Sequence, residues 1–211
     1  MFSSTIKKFR LRRIEKGWKL FHKANYESAR KKICQLTSCK DTEICLEANR
    51  IAGLAFYRQK LYEDAIPHLT ITSSLSNQQH DWYNLAMAFA KANRIPEAED
   101  AFKEIYRAKS KHNYQYAISL PTMIFQYLRV LKLNKAYATA YPRVIELRGM
   151  YEAMRKSDKN TLAASGLPPV HSFIKEIIPI LKSQFPDKKV KDWIKDLSSR
   201  LDKNRKDKAW G

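Results

Sequence analysis

Three cysteines close together in the chain are the first candidates for chemistry. Cys34, Cys39 and Cys45 are separated by four and five residues, and His22 lies upstream of them. Structural zinc sites use four ligands and commonly include two cysteines only two residues apart. This spacing lacks that pair and supplies no evident fourth ligand, so we expect free thiols, no bound metal and no cofactor. An odd cysteine count without an apolar leader also favours a reducing compartment.

The other patterns that could carry catalysis are missing from the sequence. The five glycines are scattered and form no phosphate-binding loop. Neither the Gly-x-Ser-x-Gly elbow of hydrolases nor the His-Glu-x-x-His helix of metalloproteases occurs. The five histidines share no ligand spacing and are expected at the surface or in turns. We therefore expect a protein that is not an enzyme.

The chain is strongly basic, and the excess charge is concentrated at its two ends. Its 211 residues carry 40 Lys and Arg against 21 Asp and Glu, a formal net charge of +19. Residues 1–32 carry +9 of this, and residues 182–211 carry +5. Such a field attracts acidic protein surfaces, nucleic acid or anionic lipid without selecting among them. The residues expected to contact a polyanion are Lys7, Lys8, Arg10, Arg12, Arg13, Lys203, Arg205, Lys206 and Lys208.

Composition and the N-terminal residues limit where the protein works. With 44% hydrophobic and 29% charged residues, the chain has the composition of a folded globular protein. It contains no run of the ~20 apolar residues that cross a bilayer, although peripheral contact with an anionic membrane remains open. We expect a cytoplasmic protein. The alternative is an organelle matrix, because residues 1–14 are basic, contain Ser and Thr and lack acids, as transit peptides do.

Helical repeats organise the first half of the chain. Apolar residues recur every three or four positions almost throughout, which predicts an all-helical fold. The segment that begins at Gly17 recurs from Gly53, 36 residues later, and again from Ala86, 33 residues after that. In each copy an alanine follows the small residue on a second helix, at Ala29, Ala65 and Ala98. Small residues on both helices let their backbones approach closely, so the pattern predicts an array of antiparallel helix pairs.

These residues resemble the tetratricopeptide repeat, a helix-turn-helix unit of about 34 residues. Aligned on its small residue, the copies span residues 10–43, 46–79 and 79–112. The third copy also carries Trp82, Leu85 and Phe89 at family positions. The family's closing proline is replaced by Asp41, Asn77 and Ser110. The resemblance implies a right-handed solenoid of antiparallel helix pairs.

In that family, the first helices of the repeats line a concave groove that holds a segment of a partner protein. The resemblance implies groove positions at Trp18, His22, Arg50, Tyr57, Arg58, Tyr83, Asn84, Met87 and Lys91. Aromatic side chains are frequent anchors in protein interfaces, and a guanidinium binds a carboxylate with two parallel hydrogen bonds. The alternative is that Trp18, Tyr57 and Met87 pack inside the protein.

Beyond residue 112 the repeat pattern weakens. Residues 114–155 are expected to form a divergent fourth helix pair, with Pro121 and Pro142 near helix starts or at kinks, so that the solenoid covers residues 1–156. The polar stretch 157–169 ends in Gly-Leu-Pro-Pro and is expected to be a linker. Residues 170–211 predict a terminal helix pair that caps the solenoid. The alternative is a mobile arm that docks on a partner or on a membrane surface.

Two functions of different kinds remain open from the sequence. The first is a non-enzymatic adaptor, or scaffold for complex assembly, that binds an acidic or carboxylate-bearing protein segment in the groove of the solenoid. The second is a basic subunit of a nucleic-acid complex, held to phosphates by the Lys and Arg clusters at both ends of the chain.

Overall fold

The computed structural model describes the backbone of residues 2–108, 118–154, 161 and 164–206, and the side chains of residues 5–108, 118–154, 161 and 164–198. Every element longer than a turn within these ranges is helical, as expected from the sequence. The helices are α1 (Phe2–His22), α2 (Tyr26–Ile33), α3 (Thr42–Arg58), α4 (Tyr62–Ser76), α5 (Gln79–Lys91), α6 (Ile95–Arg107), α7 (Leu120–Leu133), α8 (Tyr137–Ala153), α9 (Val170–Gln184) and α10 (Asp187–Lys206).

One turn geometry recurs in the first four helix pairs, from α1–α2 to α7–α8. A residue with positive φ follows the first helix in each of them: Ala24, Lys60, Asn93 and Lys135. The amide after it reaches back five residues in every case, as in Asn25 N to Leu20 O (3.0 Å) and Ala136 N to Leu131 O (2.9 Å). This is the Schellman arrangement, which satisfies carbonyls left over at a helix end. The four connections are therefore copies of one another.

Close approach of the paired helices depends on the small residues that the sequence pattern identified. A Cβ atom on Gly17 would lie 2.7 Å from Ile33 Cγ2, and one on Gly53 would lie 2.8 Å from Leu69 Cγ. Ala86 takes this position in the third pair and is fully buried. The alanines on the second helices, Ala29, Ala65 and Ala98, are fully buried as well. The helices of these pairs therefore pack closely at their small residues, as the sequence pattern predicts.

The divergent helix pair follows the same plan, but a leucine replaces the small residue of its first helix. Its turn residue Lys135 precedes Ala140 by five residues, the spacing found in the other pairs, and Ala140 is fully buried. Leu128 occupies the place of the small residue on the first helix. Pro121 lies in the first turn of α7, and Pro142 lies inside α8. A large side chain at Leu128 explains why the sequence pattern weakens here.

The chain divides into two compact units, residues 1–114 and 115–211. The first unit contains the three repeats and joins α1 to α6 through a core that includes Ile33, Ile51, Leu69 and Phe102. Residues 109–112 of the third predicted repeat lie outside the described residues.

The second unit combines α7 and α8 with the C-terminal helices. Phe173 of α9 is buried and lies 5.2 Å from the ring of Tyr151 in α8. Arg148 of α8 binds Asp196 of α10 at 2.6 Å and lies over the ring of Trp193. The C-terminal helix pair, through residue 198, is therefore packed on α8 of its own unit.

The end of the predicted linker is bonded to the same helices. The carbonyl of Gly166 accepts a hydrogen bond from Thr122 Oγ1 at 2.8 Å, and the carbonyl of Pro168 accepts one from the Tyr151 hydroxyl. Gly166 has φ +78°, and a Cβ atom there would lie 1.8 Å from Ser119 Oγ. Only glycine fits this position. Residues 155–160, 162 and 163 of this region lie outside the described residues.

None of the described helices is long and apolar enough to span a bilayer.

Candidate partner-binding surface

The nine residues expected in the groove lie on α1, α3 and α5, the first helices of the three repeats. They differ in exposure and therefore in what they can contact. Arg50, Tyr83 and Met87 are buried, Trp18, Tyr57, Asn84 and Lys91 are half-buried, and His22 and Arg58 are exposed.

A polar network that includes Trp18 and Arg50 joins α1, α3 and α5. Arg50 of α3 is only 8% exposed and makes two bonds to the carboxylate of Asp81 in α5, from Nε at 3.1 Å and from Nη2 at 2.7 Å. Its Nη1 binds Glu47 on α3. The other oxygen of Glu47 accepts a hydrogen bond from Trp18 Nε1 of α1 at 3.0 Å. The network therefore runs without interruption from α1 through α3 to α5.

Asp81 is the most enclosed member of the network, with no exposed surface. It lies in the first turn of α5, where the helix dipole favours a negative charge. Ser76 Oγ donates to its carboxylate at 2.6 Å, and His80 Nε2 lies 3.3 Å away. A buried carboxylate needs such partners because its desolvation is costly. Three side chains converge on Asp81, and its carboxylate fixes the position of the Arg50 guanidinium.

This arrangement changes the role of Arg50. The sequence suggested that its guanidinium binds a carboxylate of a partner protein, and the structure brings it to two carboxylates of its own chain. Glu47 and Asp81 were not identified from the sequence. Glu47 lies one helical turn before Arg50, which is a usable signal, whereas Asp81 is 31 residues away and carries no local one.

Aromatic residues cover the next part of the surface. Burial, together with the neighbouring Tyr62, raises the pKa of Tyr57 to about 12. Burial likewise raises the pKa of Tyr83 well above its ordinary value. Both phenols are therefore neutral at physiological pH. The rings of Tyr57 and Tyr62 meet edge to face with centroids 5.4 Å apart.

The exposed end of α1 adds a second aromatic group. The rings of Trp18 and His22 stack with centroids 5.7 Å apart, and Phe21 meets Trp18 edge to face at 5.6 Å. Since Glu47 holds the Trp18 indole, the stack is oriented before any partner arrives. Exposed Arg58 and half-buried Lys91 supply positive charge on α3 and α5. These side chains form what we call the inner surface: Trp18, His22, Tyr57, Arg58, Asn84 and Lys91.

The basic residues near the N-terminus are partly committed to contacts within the chain. Lys7 pairs with Glu43 at 2.9 Å and with Asp41 at 3.2 Å, and these two carboxylates raise its pKa. Arg13 donates to the carbonyl of Lys32 and to Gln35. Arg10 donates to Cys39 Sγ at 3.3 Å. The exposed members of this group are Lys7, Lys8 and Arg12.

The basic residues expected to contact polyanions near the C-terminus are only partly described. Lys203, Arg205 and Lys206 lie on α10, and their side chains lie outside the described residues. Lys208 lies outside them altogether.

Cys34, Cys39 and Cys45 are free thiols. Among the described residues, no three His, Cys, Asp or Glu side chains come together in a way that could hold a metal ion.

Comparison with known proteins gives no further assignment: no family model matches the chain, and neither a curated protein nor a solved structure matches it.

Proposed function

We propose that the first unit is an adaptor built from tetratricopeptide-like repeats, which binds an acidic or carboxylate-bearing segment of a partner protein along the inner surface. The observation that carries the proposal is the polar network from half-buried Trp18 through Glu47 and Arg50 to buried Asp81. It ties the first helices of the three repeats together. A surface held rigid in this way loses little conformational entropy when a partner binds.

The recurring turn between the paired helices supports the repeat assignment. Ala24, Lys60 and Asn93 have the same left-handed conformation, and each is followed by the same backbone hydrogen bonds. Repeats with equal turns and equal small-residue contacts stack in a regular way, so that their first helices share one side. In the proposed arrangement, the inner surface is the exposed part of that side.

The chemistry of the inner surface supports an acidic ligand. Arg58 and Lys91 are cationic, and Glu47 is already occupied by Arg50 and Trp18. Tyr57 and the Trp18–His22 stack offer large, rigid apolar area of the kind that anchors protein interfaces. Since Arg50 is bound to Asp81, recognition of carboxylates on the ligand falls to Arg58 and Lys91.

A pull-down from native lysate tests the proposal, with one half of the sample treated with nuclease before washing. The test variant is Arg58→Glu with Lys91→Glu. The matched control is Lys103→Glu with Arg107→Glu, which makes the same charge change on α6. We expect partners that survive nuclease, that remain on the control and that are lost from the test variant. Equal retention by both variants would contradict the proposal. Loss of every partner after nuclease would instead favour a nucleic-acid complex.

A further inference from the structure

The N-terminal half of α1 extends well past the helix that it packs against. At 1.5 Å per residue, the 21 residues of α1 span about 30 Å and the eight residues of α2 span about 12 Å. The chain reverses at residues 23–25, so the two helices are aligned at that end. The first half of α1 therefore continues beyond α2, alongside the short 3-10 turn at Cys34–Leu36.

The stripe of α1 that faces α2 continues into this overhang. Gly17 packs on Ile33 of α2, and Arg13, Phe9 and Ile6 precede it at spacings of four, four and three residues. Residues at this spacing share one helix face. Ile6 is 49% exposed and Phe9 is 62% exposed. Two large apolar side chains are thus uncovered at the continuation of a helix-packing surface.

A groove of about 400 Å³ lies beside these side chains. Its apolar lining includes Ile6 and Phe9 of α1 and Leu36 of the 3-10 turn, and its polar lining includes Arg10, Arg13 and Gln35. No acidic residue is among the described residues that line it. We call this region the terminal groove.

Both arginines of the terminal groove are held in place by the chain. Arg13 Nε and Nη2 donate to the carbonyl of Lys32 at 3.1 and 2.9 Å, and Nη1 donates to Gln35 at 3.0 Å. Arg10 Nη1 donates to the Cys39 thiol, a weak acceptor that leaves the positive charge unneutralised. The acids nearby, Asp41 and Glu43, are bound by Lys7. The charge of the groove is therefore positive, and its arginines are fixed.

We propose that the terminal groove binds an acidic amphipathic helix of a partner protein. An apolar side chain of that helix fills the space between Ile6, Phe9 and Leu36, and its flanking carboxylates pair with Arg10 and Arg13. The stripe of α1 beyond α2 is suited to pack against a helix, because it continues the stripe of α1 that packs against α2. Its surroundings are basic, which selects an acidic partner.

Charge and apolar exposure argue against two other occupants. A second copy of this chain carries a net charge of +19, which repels a basic groove. Nucleic acid pairs its phosphates with the arginines but does not account for the exposed apolar side chains of Ile6 and Phe9. An anionic membrane surface also meets exposed apolar and basic side chains, and the vesicle measurement below distinguishes it from a protein helix. The terminal groove is separate from the inner surface and does not depend on the function proposed for it.

The test uses the full-length chain and a fluorescein-labelled helical peptide of about 18 residues, with leucines along one face and glutamates elsewhere. The same peptide with its leucines replaced by serine keeps the negative charge but lacks the apolar face. Binding is followed by fluorescence anisotropy. We expect the leucine peptide to bind and the serine peptide to bind at least about tenfold more weakly, because burial of apolar side chains drives the contact.

Variants of the chain assign the binding to the terminal groove. Phe9→Ser should weaken binding of the leucine peptide at least about tenfold. The matched control Leu75→Ser removes a side chain that is 44% exposed on α4 and should leave binding unchanged. Both positions are on the surface, and unchanged circular dichroism verifies that the variants are folded. The proposal is overturned if the peptide does not bind, or if Phe9→Ser and Leu75→Ser behave alike.

Two competing ligands are measured with the same proteins. A single-stranded uridine oligonucleotide and vesicles containing phosphatidylserine are each added to the peptide complex. If either ligand binds in a Phe9-dependent manner more tightly than the leucine peptide, the proposal is overturned in favour of that ligand. If either ligand binds equally well to the wild-type chain and to Phe9→Ser, it binds outside the terminal groove, and this result supports the proposal.

Discussion

Replacing Asp81 by asparagine should strongly destabilise the first unit. Asparagine keeps the volume and one acceptor oxygen but presents an amide NH₂ group where the carboxylate now receives Arg50 Nη2 at 2.7 Å and Ser76 Oγ at 2.6 Å. Removing one member of a buried ion pair costs about 3–5 kcal/mol, because the other charge loses its partner. Glu47 still binds Arg50, so we expect about 3 kcal/mol, the lower end of that range.

Urea unfolding of the full-length chain measures this loss. With a slope of about 2 kcal/mol per M, the midpoint of the unit containing Asp81 should fall by about 1.5 M. The control is Asp100→Asn, the same change at an exposed pair with Lys103, which should cost under about 1 kcal/mol.

A second substitution tests the cause. Arg50→Met in the Asp81→Asn background removes the guanidinium that has lost one of its two carboxylate partners, and it should recover part of the lost free energy. An Asp81→Asn variant that loses no more stability than the Asp100→Asn control would contradict this explanation. So would a double variant in which Arg50→Met adds its full cost to that of Asp81→Asn.

Three further changes test other parts of the molecule. Gly166→Ala should destabilise the second unit by at least about 1–2 kcal/mol in thermal unfolding, because alanine is strained at φ +78° and its Cβ atom overlaps Ser119. An unchanged melting temperature would contradict this expectation. Lys60→Gly should instead raise the free energy of unfolding by about 1 kcal/mol, because φ is +63° there and favours glycine; a loss in urea unfolding would show that the Lys60 side chain matters more. His68 should make the first unit less stable at acid pH. Burial, and next the charge of Arg30, lower the pKa of His68 in the folded protein. The unfolded chain therefore binds more protons than the folded one as the pH falls below about 6.5. Stability should decline from pH 7.5 to 5.5 and less steeply in His68→Phe, and equal declines in the two proteins would count against this explanation.

Much of the fold follows from short-range sequence patterns. The spacing from Gly17 to Ala29, repeated from Gly53 to Ala65, depends on contacts between neighbouring helices of one pair. Such contacts impose residue size at fixed intervals, so the all-helical fold and its helix pairs could be predicted. The divergent pair was harder to align because Leu128 replaces the small residue, while its turn at Lys135 needs only a backbone conformation that many residue types adopt.

The candidate sites depend on contacts that the sequence does not encode locally. The groove position of Arg50 predicts which face of α3 it occupies. It does not predict that Asp81, on α5 of the next repeat, reaches the guanidinium. Exposure of Phe9 likewise depends on where α2 ends, and nothing in the residues around Phe9 reports the length of α2. Pattern therefore predicts which face a residue occupies, and the three-dimensional arrangement decides whether it is buried, paired or available.

The buried pair of Arg50 and Asp81 has a consequence for how this chain can change over evolution. Arrays of helical repeats commonly grow or shrink by duplication or deletion of whole units, because each unit contacts only its neighbours through similar apolar surfaces. Here, a unit inserted between α4 and α5 would separate the two charges, so that buried Asp81 would lose its guanidinium and Arg50 would keep only Glu47. Electrostatics thus opposes insertion of a unit between the second and third repeats, and new units can be added at much lower cost elsewhere.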